Sequence, residues 1–285
     1  MVCSIYSLLV FLVFFLFSVN SWAGYHIEQN SVRQIGELSA KMKVTHYIEG
    51  AKKATWIRPS EGGDDSQTVR HYLLGGDFFL CFHQKQAKRG TCQKDALGGA
   101  MTGMAYLTQV GATLKFTKFL LKDLKRKETV FGVSCDWYEM KQEIEMTVME
   151  MTSTSRVTTE SCHTKLVDNQ KYIKNVRSKL GELESRFSDR EGLQSFFRYA
   201  ELGQILKAST ETTSEITVFG ELQKNTTVET IATVSIKNEP IPDAVFEIPK
   251  VYSVNRETER SVTNLERMKS KLESELKAAG TQNPE

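Results

Sequence analysis

The sequence predicts an α+β fold in which an antiparallel sheet carries helices on one of its faces. The N-terminal third of the chain alternates apolar and polar side chains with a period near two, as strands do, and further strand candidates lie within residues 128–165. A charged stretch at residues 172–203 instead carries apolar side chains three and four apart, which predicts a helical insert. Strands return over residues 204–238, and a highly charged helix is predicted within residues 255–285.

The chain begins with a segment that has the features of a cleavable export signal. Residues 1–23 contain no charged side chain, and residues 5–17 are almost wholly apolar. This apolar run of about 13 residues is shorter than the ~20 that span a bilayer, which favours cleavage over anchoring. Ser21 and Ala23 supply small side chains at positions −3 and −1 of a cleavage site before Gly24. We therefore expect export to the periplasm, or secretion where the source has no outer membrane.

The strands that follow are predicted from local alternation and from turn residues. Candidates in this part are residues 25–28, 38–48, 53–57, 69–74 and 77–83. A Pro-Ser-Glu-Gly-Gly-Asp-Asp run at residues 59–65 is a strong turn signal. The pair Gly75-Gly76 predicts a hairpin between the last two candidates.

Cysteines predict two disulfides in the exported chain. They are Cys81, Cys92, Cys135 and Cys162. An even number of cysteines in an oxidising compartment favours disulfides, and three pairings are possible. We favour a bridge between Cys81 and Cys92 and another between Cys135 and Cys162, because the residues between the members of each pair are typical of a hairpin or a short excursion. A metal site is the alternative, since His83 and His163 lie near cysteines, but the closely spaced ligand pairs that zinc prefers are missing.

Residues 96–114 form an uncharged segment that contains four glycines. Its length would suffice for a membrane span, yet its Gly, Thr and Gln content makes it a poor one. Met101, Met104 and Tyr106 can share one face of a short helix there. The segment is interpreted either as a mobile apolar cover over a pocket or as a buried core helix.

The stretch from Lys115 to Lys127 is basic and interleaved with apolar residues, among them Phe116 and Phe119. At helical spacing it predicts a basic amphipathic helix that contacts an anionic membrane surface. At strand spacing it predicts an edge strand whose lysines face water and oppose pairing with other chains. Both interpretations remain open from the sequence.

More strands and two helices are predicted in the second half. The strand candidates are residues 128–141, 144–154, 157–165, 204–210, 215–222 and 227–238. The first helix is predicted from apolar side chains that lie three and four apart, namely Val176, Leu180, Leu183 and Phe187. A capping box at residues 188–191 predicts the start of the second, which ends at Gly203.

Composition and motifs exclude several functions. The net charge of +2 argues against a dedicated nucleic-acid-binding protein. The sequence has no G-x-S-x-G elbow, no H-E-x-x-H motif and no phosphate-binding glycine loop, so we predict no enzyme and no cofactor. Met146, Met149 and Met151 are soft ligands for Cu(I), but a strand would place them on different sides, which favours packing.

Two stretches resemble an uncharacterised family of exported bacterial domains. Residues 132–138, Gly-Val-Ser-Cys-Asp-Trp-Tyr, resemble its G-x-x-C-x-x-Y strand, and residues 236–252 resemble its ending, F-x-I-P-x-x-Y. That family is grouped with the lipoprotein-carrier, LolA/LolB-like, half-barrels. The resemblance spans roughly residues 25–252. It implies a strongly curved antiparallel sheet, a half-barrel, with helices covering an apolar concave face, and it implies no catalytic residues.

These observations predict three parts: a signal peptide at residues 1–23, one half-barrel-like domain at 24–254, and a charged helix and tail at 255–285. We expect a non-enzymatic exported protein that binds a lipid or lipoprotein ligand in its concavity. The expected lining residues are Met101, Met104, Tyr106, Phe116, Phe119 and Trp137. The alternative is a structural protein of the cell envelope without a ligand, whose C-terminal helix binds a protein partner. A soft-metal carrier is the third possibility.

Overall fold

The computed structural model describes most of the chain beyond residue 23. The described residues are 24–60, 68–84, 89–95, 113–148, 151–178, 180–218 and 221–255. The predicted signal peptide, most of the uncharged segment and the predicted C-terminal helix lie outside them. For these parts, and for the division into signal, domain and tail, the expectations from the sequence stay predictions.

A single sheet of twelve strands holds about 70% of the described residues. The strands are β1 (Gly24–Ile35), β2 (Leu38–Glu49), β3 (Lys52–Pro59), β4 (Val69–Leu74), β5 (Asp77–Gln84), β6 (Arg89–Asp95), β7 (Thr113–Val130), β8 (Val133–Val148), β9 (Met151–Thr164), β10 (Gln204–Val218), β11 (Glu221–Glu239) and β12 (Tyr252–Asn255). Their order in space is β12-β6-β5-β4-β3-β2-β1-β11-β10-β9-β8-β7. β1 therefore lies inside the sheet between β2 and β11, while β12 and β7 form its edges.

Helices hold about 14% of the described residues. They are α1 (Gln170–Arg177), α2 (Leu180–Glu184), α3 (Arg190–Ala200) and a 3₁₀ turn at Asp243–Phe246. α3 starts within the predicted capping box, because the Asp189 carboxylate accepts a 2.6 Å hydrogen bond from the backbone N–H of Gly192. Gly203 follows this helix at φ 90°, and a Cβ there would lie 2.5 Å from the carbonyl oxygen of Thr164. Only glycine fits this return to the sheet.

The predicted fold class, an α+β half-barrel of antiparallel strands with helices covering its concave face, is wrong. The sheet is mixed, because β12 runs parallel to β6 with Tyr252 opposite Gly90. The sheet is not closed into a barrel, and the helices are too few to cover it. The parallel pairing was missed because β12 has only four residues, too few to leave a periodic signal in the sequence.

The stretch from Lys115 to Lys127 is part of edge strand β7, so the helical interpretation of it is wrong. Phe116 and Phe119 are three residues apart, as on a helix face, yet both are buried in one cluster. A β-bulge explains this, because the pairing with β8 shifts register between Phe116 and Lys118. One extra residue in a strand brings side chains at i and i+3 to the same face.

The main hydrophobic core lies between the helices and the β7–β8 edge of the sheet. Its buried members are Phe116, Phe119, Met140, Val176, Leu183, Phe187, Leu193, Phe196 and Phe197. The connection between α2 and α3 also pairs with this edge, since the backbone N–H of Phe116 donates to the carbonyl of Arg186 at 2.7 Å. The apolar side chains that predict the first helix thus belong to the core. They lie on two short helices rather than one, because Val176 is in α1 and Leu183 is in α2.

Both favoured cysteine pairs lie at disulfide-bonding distance. Cys81 and Cys92 face each other directly on β5 and β6, and the second bridge joins Cys135 on β8 to Cys162 on β9. All four side chains are at most 1% exposed. Each bridge ties neighbouring strands together inside the protein.

Replacing both Cys135 and Cys162 by alanine is expected to lower the free energy of unfolding by about 3.5 kcal/mol, because the bridge closes the longer loop. The corresponding change at Cys81 and Cys92 is expected to cost about 3 kcal/mol. Urea unfolding of the oxidised proteins measures both. Equal midpoints in the wild type and either double variant would contradict the bridge concerned.

Candidate ligand-binding face

One face of the sheet is turned toward the helical side of the protein. On it Ile27, Ile48 and Leu73 form a buried cluster with Val167, and Tyr172 of α1 packs against that cluster. We call this the inner face. Side chains alternate across a strand, so the strand register assigns every second residue of β2 to β5 to it.

The inner face of β2 to β5 carries three parallel rows of side chains. The first row is Ile48, Lys53, Leu73 and Phe78, the second is His46, Thr55, His71 and Leu80, and the third is Val44, Ile57, Val69 and Phe82. The third row is wholly apolar, and its member Phe82 is 45% exposed. No acidic side chain occupies these twelve inner positions. The face is therefore apolar with a small basic group on it.

Lys53, His46 and His71 form this basic group. Burial lowers the pKa of Lys53 to about 8. Burial, together with the positive charge of Lys53, lowers the pKa of His71 to about 4. The pKa of His46 also falls well below its usual value, first through burial and then through the charges of Lys53 and His71. At neutral pH the group therefore holds one ammonium and two neutral imidazoles.

His46 takes part in a hydrogen-bond chain that runs across the sheet. Its Nε2 lies 2.8 Å from Gln29 Oε1, and its Nδ1 lies 2.9 Å from Thr55 Oγ1. Gln29 Nε2 donates to the carbonyl of Ile205 at 2.8 Å, which orients the amide oxygen toward the imidazole. His46 Nε2 therefore donates and Nδ1 accepts from the threonine hydroxyl. Both ring nitrogens are satisfied, which favours a structural role for this histidine.

Lys53 has a different environment. It projects from β3 between Ile48 and Leu73, and it is half-buried. Within the described ranges its ammonium makes neither a hydrogen bond nor an ion pair. A charge shielded from water normally has a partner, because desolvation without pairing is costly.

A cleft of about 740 Å³ lies at the same end of the sheet as Lys53. It is bounded by the β2–β3 turn, the connection after β9, and α1. The apolar lining comes from Leu166, Val167 and Ile173, and the basic lining from Lys165, Lys174 and Arg177. Arg177 is bound to the carboxylate of Glu201 at its rim. The lining of the cleft is therefore partly apolar and partly charged.

The structure separates the residues predicted to line a pocket. Phe116 and Phe119 are 3% and 4% exposed in the helix-covered core, where Phe116 stacks on Phe187 with ring centroids 4.6 Å apart. Trp137 lies on the opposite side of β8 from Met140, below the guanidinium of Arg126. Met101, Met104 and Tyr106 lie outside the described residues. The three described members therefore do not meet at one cavity, and the proposed lining as a whole stays a proposal.

Sequence reasoning missed Lys53 and His71. The run Lys53-Ala54-Thr55-Trp56-Ile57 alternates correctly, but alternation alone does not tell which side faces the interior. Trp56 suggests the other side as the buried one, so Lys53 looks like a solvated lysine. Only the pairing of β3 with Ile48 and Leu73 reveals its position.

In the described residues no three His, Cys, Asp or Glu side chains are arranged to hold a metal ion. None of the helices in that part of the chain has the length and hydropathy needed to cross a membrane.

Comparison with known proteins finds no matching family model and no matching curated protein. Similar solved structures include the following two. A LolA superfamily protein from Nitrosomonas europaea is 10% identical, with 80% of this chain and 91% of that chain covered and a TM-score of 0.28. A DUF1329 family protein from Desulfovibrio piger is 10% identical, with 80% and 90% covered and a TM-score of 0.29. The first of these structures belongs to the superfamily that the sequence resembles, but TM-scores this low carry no argument about fold or function.

Proposed function

We propose that the protein is an exported, non-enzymatic binding protein that holds an apolar or lipidated ligand against the inner face of its sheet. The observation that carries the proposal is the third inner row, in which Val44, Ile57, Val69 and Phe82 lie side by side on four adjacent strands. The two buried bridges suit an extracellular or periplasmic protein.

The position of the helices supports this assignment. The helical core covers β7 and β8, and α1 reaches the β4–β5 turn, where Asn175 donates to the carbonyl of Gly76 at 3.0 Å. The third row lies at the opposite end of β4 and β5 from that turn. An acyl chain placed there gains about 0.8 kcal/mol for each methylene that it removes from water. Phe116 and Phe119 would reach such a ligand only if the helices moved away from β7.

Native mass spectrometry of the protein purified from its own compartment tests the proposal, combined with organic extraction of whatever is bound. A lipid or lipidated peptide that stays bound is the expected result. A bare mass would contradict the proposal and favour the alternative, an envelope interaction protein whose interior is filled by its own side chains.

A pair of matched variants locates the bound ligand. Phe82→Ser removes an exposed aromatic ring from the third row, whereas Phe131→Ser removes one that is 59% exposed in the β7–β8 turn. We expect Phe82→Ser to weaken binding of a fluorescent fatty-acyl probe about tenfold or more, which corresponds to 1.4 kcal/mol. Phe131→Ser is expected to bind as the wild type does. Equal loss in both variants would place the ligand elsewhere.

A further inference from the structure

Among the twelve described inner positions of β2 to β5, Lys53 supplies the one ammonium group, and an apolar surface lies near it. Lys53 lies in the first row and the apolar third row begins two rows away along β3, from Lys53 to Ile57. Four residues of strand correspond to about 13 Å. The two features are thus separated by a distance that one amphiphilic molecule can span.

Between them lie Thr55 and His46, which are 6% and 7% exposed, so an acyl chain passes over them only by displacing what covers them. Thr55 and His46 bond to each other, so their polar atoms need nothing from a ligand. His71 lies beside Phe78, with ring centroids 5.5 Å apart, and burial next to Lys53 keeps it neutral. Its imidazole therefore offers an N–H donor close to the ammonium without adding a second charge.

We propose that Lys53 anchors the anionic head of an acidic amphiphile, such as the carboxylate of a fatty acid, while the acyl chain runs along β3 toward the row of Val44, Ile57 and Val69. This inference rests on the proposed function and adds the charge of the ligand to it. It accounts for the position of Lys53, because the head supplies the counter-charge that no described side chain provides. A carboxylate pairs with the ammonium and accepts the N–H of His71.

Two ligands of equal chain length separate this inference from the proposed function. Palmitate carries the acidic head and hexadecanol does not, and each is titrated against the delipidated full-length protein by displacement of a fluorescent acyl probe. We expect palmitate to bind at least about tenfold more tightly, the equivalent of one charged pair. Equal affinities would overturn the anchor and leave the proposed function standing. Binding of neither ligand would overturn both.

Lys53→Met supplies the second measurement, since methionine keeps the length and apolar stem of the side chain. The variant is expected to lose the preference for palmitate and to keep its affinity for hexadecanol. Lys53→Arg, which retains the charge, is expected to keep the preference. Unchanged discrimination in Lys53→Met would contradict the anchor.

The stability of ligand-free Lys53→Met gives an independent readout. Removal of a half-buried, unpaired charge is expected to raise the urea midpoint above that of the wild type. A lower midpoint would show that Lys53 already pairs with an acid of this chain, and it would overturn the proposal. Inorganic phosphate serves as the control that has an anionic charge but no acyl chain. If it displaced the probe as well as palmitate does, the site would bind free anions rather than an amphiphile.

Discussion

Replacement of Phe119 by alanine is expected to lower the free energy of unfolding by about 3–5 kcal/mol. The side chain is 4% exposed at the centre of the helix-covered core. Its ring centroid lies 5.8 Å from that of Phe116 and 5.8 Å from that of Phe196. The truncation therefore opens a cavity between β7 and α3 that rigid neighbouring strands cannot close. Urea unfolding followed by circular dichroism measures the loss.

Leu120→Ala is the matched control for this change. Leu120 is the next residue of β7 and is 39% exposed, so its truncation is expected to alter the free energy of unfolding by no more than about 0.5 kcal/mol. A loss below about 1 kcal/mol in Phe119→Ala would mean that the helices do not pack on β7 in solution. Equal losses of stability in both variants would contradict the assignment of Phe119 to a buried position and of Leu120 to an exposed position on β7.

Acidification from pH 7 to pH 5 is expected to lower the free energy of unfolding by about 4 kcal/mol through two histidines. Burial lowers the pKa of His71 and of His163 from 6.5 to about 4 in the folded protein. The unfolded chain binds these protons below about pH 6.5, whereas the folded chain binds them only below about pH 4. Stability is therefore complete above pH 6.5 and falls as the pH drops toward 4. Each histidine contributes about 2 kcal/mol at pH 5, and His46 acts in the same direction.

Single variants test this origin of the acid sensitivity. His71→Gln and His163→Gln each remove one titrating group and are each expected to reduce the change between pH 7 and pH 5 by about 2 kcal/mol. Chemical unfolding at both pH values, for the wild type and both variants, gives the comparison. The same pH dependence in all three proteins would mean that other groups control it. The comparison stays informative if a variant is less stable at pH 7, because only the difference between the two pH values is used.

Local features of the fold could be predicted from the sequence. The hairpin at Gly75-Gly76, both cysteine pairings and the helix start at residues 188–191 all depend on residues close together in the chain. The fold class could not be predicted in the same way. The four-residue parallel strand β12 leaves no periodic signal, and the bulge after Phe116 produces helical spacing in a strand.

The candidate site was harder to predict than the strands that carry it. Lys53 has the same local sequence pattern as a solvent-facing lysine, and its burial depends on neighbours contributed by β2 and β4. The aromatic residues Phe116 and Phe119 look like pocket residues by composition. Their enclosure depends on Phe187 and Phe196, which arrive from a distant part of the chain. Position relative to other elements, rather than residue type, decides both cases.

The place of β1 between β2 and β11 determines the order in which the protein can fold. Its ladder with β2 forms locally through a tight turn, but the other ladder joins Gly24 to Glu239. The strands β2 to β6 and the strands β7 to β11 are connected across the sheet by that second ladder. Closing so long a loop is entropically costly and slow, so this ladder is expected to form late. Until then β1 and β11 each expose an unpaired edge, and the new chain is most prone to aggregation in that interval.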